Sequence, residues 1–142
     1  MVLKAQFFDE LWKASRRVRT LFDARVRAKD LTLARARTLI LLAKQGGMNQ
    51  TELADALEIE GPTLVRLLDG LEKQARIERR PVDGDRRAKQ IALRAKGQQE
   101  AILVGEIVQE VRNEVLKDVS EDDLRAALRV FHAMTRNLEA AG

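Results

Sequence analysis

Apolar positions along the first thirty residues fall at Phe8, Leu11, Val18, Phe22 and Val26, with Ser15 on the same stripe. That three-to-four spacing is one face of a helix and predicts a first helix over residues 4–29. Thr32 is a suitable N-cap for a second helix, along which Leu33, Ala36, Leu39, Ile40 and Ala43 repeat and which Gly46-Gly47 ends. Asn49-Gln50-Thr51-Glu52 reads as a capping box opening a short helix through Leu57, with Leu53, Ala54 and Leu57 inward. Pro62 suits the first position of the next helix, which runs to about Gln74 with Leu64, Leu67, Leu68 and Leu71 on its apolar side. The period then changes from helical to two in Ile77-Glu78-Arg79-Arg80 and again in Lys89-Gln90-Ile91-Ala92-Leu93. Asp83-Gly84 between them signals a hairpin, because glycine takes positive φ without steric cost. Two long helices follow. One covers residues 96–117, with Ile102, Leu103, Ile107, Val108, Val111, Val115 and Leu116; the other opens at Ser120 with acids in its first turn and carries Leu124, Leu128, Phe131, Thr135 and Leu138.

The fold class expected from this order is mainly α with a small β-hairpin, a winged helix-turn-helix flanked by N- and C-terminal helices. Such a helix pair can place its second helix in a DNA major groove. The exposed side of that helix carries Gly61, Thr63, Val65 and Arg66, with Lys73 further along. Arg66 can pair with a guanine edge or a phosphate, or remain an ordinary solvated arginine. The hairpin crowds Arg79, Arg80, Arg86, Arg87 and Lys89 into a short stretch. A guanidinium at a hairpin tip can enter the minor groove, where negative potential is concentrated. Asp85 fits such a loop if its carboxylate braces a neighbouring arginine. A solubilising turn is the alternative for any hairpin, but its position after a helix-turn-helix favours DNA contact.

Charge sharpens the picture through its distribution. Residues 1–48 carry 11 Lys/Arg against 4 Asp/Glu, net +7; residues 49–60 are net −4, residues 61–94 net +4, and residues 95–142 net −3. A basic block beside an acidic one favours an anionic partner at one end. The absence of cysteine excludes disulfides, thiolate metal sites and thiol redox sensing. No cofactor is expected. His132, the single histidine, has no partner at metal-ligand or catalytic spacing and is expected to be a packed or interface residue. A Gly-rich phosphate loop and a nucleophile–base pair are both missing, so an enzyme is not expected. No apolar run reaches the roughly 18–20 residues of a membrane span, and Asp9 and Glu10 interrupt any signal-type segment. No membrane partner is expected, and the expected location is the cytoplasm.

The stretch from Gln50-Thr51-Glu52-Leu53-Ala54 through Ile59-Glu60-Gly61-Pro62-Thr63-Leu64-Val65-Arg66 and Leu71-Glu72-Lys73-Gln74 to Asp85-Arg86-Arg87-Ala88-Lys89-Gln90-Ile91-Ala92-Leu93 resembles the MarR family, and within it the SlyA-like branch. The resemblance implies a homodimer with dimerisation helices at 1–30 and 95–142 and a DNA-binding domain at 31–94. It implies a pseudo-palindromic double-stranded DNA operator. It makes Arg87 the wing-tip residue in the minor groove and puts Thr63, Val65 and Arg66 on the recognition helix. Glu58 and Ala75 stand where the family usually has glycine, and Arg94 where it has a capping threonine. If positive φ is needed at the first two, each costs on the order of 1 kcal/mol.

The resemblance also implies release from DNA by a small molecule, commonly an aromatic acid. Phe8, Trp12, Ser15, Arg16 and Arg19, with Arg37 and Leu41 on the second helix, combine aromatic and basic groups suited to an aromatic carboxylate; the alternative for Phe8 and Trp12 is dimer core. The +7 block would also accept a larger anion such as an aromatic acyl-CoA thioester. The expected function is a dimeric, sequence-specific, ligand-released repressor; the alternative is an architectural DNA-binding protein without effector, bound through salt-dependent contacts alone.

Overall fold

A computed structural model describes residues 2–82 and 85–142, and for residues 85–88 the backbone alone. The elements are α1 (Val2–Arg27), α2 (Leu33–Gln45), β1 (Met48–Asn49), α3 (Gln50–Leu57), α4 (Gly61–Lys73), β2 (Ile77–Val82), β3 (Asp85–Leu93), α5 (Ala95–Val115) and α6 (Glu121–Ala141). The chain divides into two compact units, Met1–Val111 and Arg112–Gly142. The turn Asp83-Gly84 and the bracing of an arginine by Asp85 lie outside what the structure describes.

Local chemistry explains most boundaries. The Thr32 side chain accepts from the Arg35 backbone N–H at 3.2 Å. Asn49 closes a full capping box: its Oδ1 accepts from Glu52 N–H at 2.8 Å, and Glu52 Oε1 accepts from Asn49 N–H at 3.2 Å. Ser120 caps α6 by accepting from Asp123 N–H at 3.1 Å. Glu60, rather than a residue with a capping side chain, precedes α4, so Gly61 and Pro62 fill its first two positions and Pro62 stands one place later than expected.

Three helices end in the paired hydrogen bonds of a Schellman turn. After α1, Leu31 N–H donates to Val26 O and Asp30 N–H to Arg27 O. After α3, Ile59 N–H reaches Ala54 O and Glu58 N–H reaches Asp55 O; after α4, Arg76 N–H reaches Leu71 O and Ala75 N–H reaches Glu72 O. The pivot residues are left-handed: Asp30 at φ 60, Glu58 at φ 56 and Ala75 at φ 61. Positive φ is therefore required at Glu58 and Ala75.

The sheet has three strands in the order β1-β3-β2, all antiparallel. The expected hairpin is β2–β3, with Ile77 opposite Leu93 and Arg79 opposite Ile91, and a register shift at Pro81/Val82. The third strand, β1, adds Met48 opposite Ile91.

The first unit has two apolar cores. One joins Leu42, Met48, Leu53, Leu57, Leu64, Leu68, Leu71, Ile77 and Ile91, so α2, α3, α4 and the sheet close on one another. The other joins Val26, Leu31 and Ala36 to Val104, Ile107 and Val111, packing the end of α1 and the start of α2 on α5. Each fully buried leucine or isoleucine contributes about 1.5–3 kcal/mol. Several expected inward positions are exposed in the single chain: Ala43, Ile102, Val115, Leu116, Leu128, Phe131 and Leu138. Helical period locates an apolar stripe, not the surface that covers it. α6 has no buried residue at all.

Candidate nucleic-acid interface

The recognition helix is held from behind. Leu64, Leu68 and Leu71 are fully buried, so the opposite side of α4 must face outward. That side presents Thr63, Val65 and Arg66, all exposed as the sequence suggested, and Gly61 is exposed at the first position of the helix. Arg66 has no ion-pair partner among the described residues. A Cβ at Gly61 would meet nothing within 4 Å, so this end of α4 is open to close approach.

The hairpin extends from the same core, because Ile77 and Ile91 at its root are fully buried. Lys89 is exposed on β3 opposite Pro81. Arg86 and Arg87 belong to β3, and their side chains lie outside the description.

The described basic residues of the hairpin do not all face solvent. Arg79 turns back to α4: Nη1 donates to Glu72 Oε1 and Nη2 to Asp69 Oδ1, both at 2.8 Å, and its backbone N–H donates to Glu72 Oε2 at 3.3 Å. Its side chain is 18% exposed, against 61% for Asp69 and 42% for Glu72, so the cation is the covered member. Arg80 pairs with Glu78 and is exposed. Sequence reasoning missed the role of Arg79, whose partners lie seven and ten positions back on another element.

The turn between α4 and β2 is docked on the start of α5. Arg76 Nε donates to Glu100 Oε2 at 2.6 Å, with both side chains mostly covered. The Arg76 carbonyl accepts from Arg94 N–H at 2.9 Å. A Cβ at Gly97 would lie 2.1 Å from that same carbonyl oxygen, so this approach requires glycine.

The residues suggested for a ligand are less concentrated. Phe8 and Trp12 are exposed neighbours on α1 with ring centroids 6.4 Å apart. Ser15, Arg16 and Arg19 are exposed, Arg37 is half-buried, and Leu41 packs against the core of the DNA-facing lobe. A cleft of 480 Å³ lies elsewhere, between the end of α2, the root of the hairpin and α5. Leu42, Leu93, Ala101 and Ile102 give it apolar walls, with Arg80 and Gln98 as polar groups. None of the seven suggested residues lines it. His132 is exposed on α6. Among the described residues no helix is long and apolar enough to cross a membrane, and no group of three or more metal-ligating side chains gathers.

A buried-backed helix with an exposed Thr63–Val65–Arg66 edge, beside an antiparallel basic hairpin, defines a winged-helix DNA-binding module. A MarR family profile matches residues 29–88. The crystal structure of transcriptional regulator PA3341 is 38% identical, covering 94% of this chain and 98% of that one, with a TM-score of 0.86. MepR from S. aureus, in complex with DNA, is 26% identical over 92% of this chain and 97% of its own, with a TM-score of 0.77. A mutant MarR from E. coli, complexed with operator DNA, shares the fold at 19% identity, covering 91% of this chain and 93% of that one, with a TM-score of 0.77. The chain belongs to the MarR family of DNA-binding transcriptional regulators.

Proposed function

We propose that the chain is a cytoplasmic, homodimeric repressor of the SlyA-like branch that binds a pseudo-palindromic duplex and leaves it on binding an anionic aromatic ligand. The observation that carries the DNA half is the outward edge of α4, where Thr63, Val65 and Arg66 stand exposed over a fully buried leucine row. In this reading α4 enters the major groove with Arg66 on a guanine edge or phosphate, and Arg87 reaches the minor groove. Lys89 and Arg86 contact phosphate, which positions the protein without specifying sequence. The similarity to MepR, which was crystallised in complex with DNA, supports DNA binding.

Dimerisation is supported by apolar residues that stand exposed on α6 in the single chain: Leu128, Phe131 and Leu138. The ligand half is supported by the Phe8–Trp12 pair in a segment of net charge +7, suited to an aromatic acid or its CoA thioester.

Selection of duplexes from a randomised pool tests the DNA half. The expected product is a two-fold-related motif; selection of no preferred sequence would support an architectural binder instead. Calorimetry with benzoate-type acids and their CoA esters tests the ligand half, with heat and loss of DNA binding expected. No heat and unchanged DNA binding for either class would sink it.

A further inference from the structure

Arg79 poses a question of charge. α4 meets a polyanion in the docking proposed above, yet its exposed surface carries two carboxylates. Asp69 lies three residues beyond Arg66, and Glu72 three beyond Asp69, so the two acids lead from Arg66's side of the helix round to the flank beside the hairpin. Both are exposed. Phosphates against this helix would lie within the Debye length of about 10 Å at 0.1 M salt, where bare carboxylates repel them.

The structure answers with a single guanidinium. Arg79 springs from β2 opposite the fully buried Ile91, so its backbone is fixed at the root of the hairpin. It engages both carboxylates at once through separate Nη atoms, at 2.8 Å each, while its backbone N–H takes the remaining Glu72 oxygen. A planar fork can span two carboxylates in this way; a lysine ammonium lacks that fixed geometry.

We propose that Arg79 is a positioning residue of the DNA interface: by offsetting one of the two negative charges of Asp69 and Glu72, and by drawing both carboxylates onto itself, it keeps the exposed surface of α4 beside the hairpin acceptable to phosphate. It does not contact DNA itself. Its strength as an ion pair is secondary, since exposed pairs add little to stability. The inference rests on the proposed docking of α4, and removal of the acids separates charge neutralisation from a purely structural clamp.

The test measures binding to a labelled duplex that the parent protein has selected from a randomised pool, across a salt series, with thermal melting as the control for folding. Arg79→Met is expected to weaken binding roughly tenfold. Adding Asp69→Asn and Glu72→Gln to Arg79→Met is expected to restore affinity to within about threefold of the parent, because the repelling charges are gone. A structural clamp would stay broken in that triple variant. Asp69→Asn/Glu72→Gln on the parent background, which keeps the proposal falsifiable if Arg79→Met fails to fold, is expected to bind at least as tightly as the parent. Its salt dependence should steepen by about one counterion as Arg79 is freed towards phosphate. Unchanged affinity in Arg79→Met, a triple variant as weak as the single, or weaker binding by the Asn/Gln pair would each overturn the proposal. A parent that selects no duplex would bring down the docking of α4 and this inference with it.

Discussion

Glu58 and Ala75 occupy left-handed backbone, at φ 56 and 61, as pivots of Schellman turns where a side chain crowds the following carbonyl. Glu58→Gly and Ala75→Gly are each expected to stabilise the fold by about 0.5–1 kcal/mol, read as a higher urea midpoint at unchanged slope. The need for left-handed backbone at these sites was legible once the chain was compared with its family pattern, because a helix stop without glycine signals a strained turn. Arg66 makes the complementary case. Its exposure on α4 followed from the leucine row behind it, and Arg66→Ala is expected to cost about 1–3 kcal/mol of binding if the guanidinium reads a base, with preference relaxed at that one position in a repeated selection. Equal loss across all sequences would instead assign Arg66 to phosphate. Arg79 was not legible in this way. Nothing in Arg79-Arg80 distinguishes the arginine that folds back onto two acids from the one that pairs with its neighbour Glu78.

Among the elements, those fixed by local chemistry were readable and those fixed by distant contacts were not. The capping box at Asn49, the caps at Thr32 and Ser120, and the hairpin strands all follow from residues within a few positions of one another. β1 escaped notice because two residues cannot show a period; Met48-Asn49 becomes a strand only through its pairing with Ile91 and Gln90. The junction of α4 with α5 was equally hidden, since Arg76 and Glu100 lie 24 residues apart. Two expected outcomes belong here. Asn49→Ala removes one half of the capping box and is expected to cost about 1 kcal/mol of stability, read by chemical denaturation. Gly97→Ala forces a methyl group onto the Arg76 carbonyl and is expected to destabilise the fold by about 1–3 kcal/mol, with local loss of amide protection at Arg94, whose N–H donates to that carbonyl. Wild-type protection at Arg94 in that variant would show that α5 can shift without cost.

At the scale of the whole molecule, the sequence predicts a winged helix with helical arms, and the structure and the family agree with that class. The arms show where single-chain reasoning ends. Leu128, Phe131 and Leu138 keep helical spacing on α6, yet all three are exposed in the single chain. Their spacing was legible, while in the proposed homodimer the surface that would cover them comes from a partner. In the proposed homodimer, two linked recognition helices would meet DNA at two sites related by a two-fold axis. A hydroxyl-radical footprint on a selected duplex tests this most directly. Two protected half-sites about one helical turn apart are expected, with minor-groove protection beside each that disappears in Arg87→Ala. Uniform protection along the duplex, or a footprint unchanged by both Arg66→Ala and Arg87→Ala, would contradict the proposed docking.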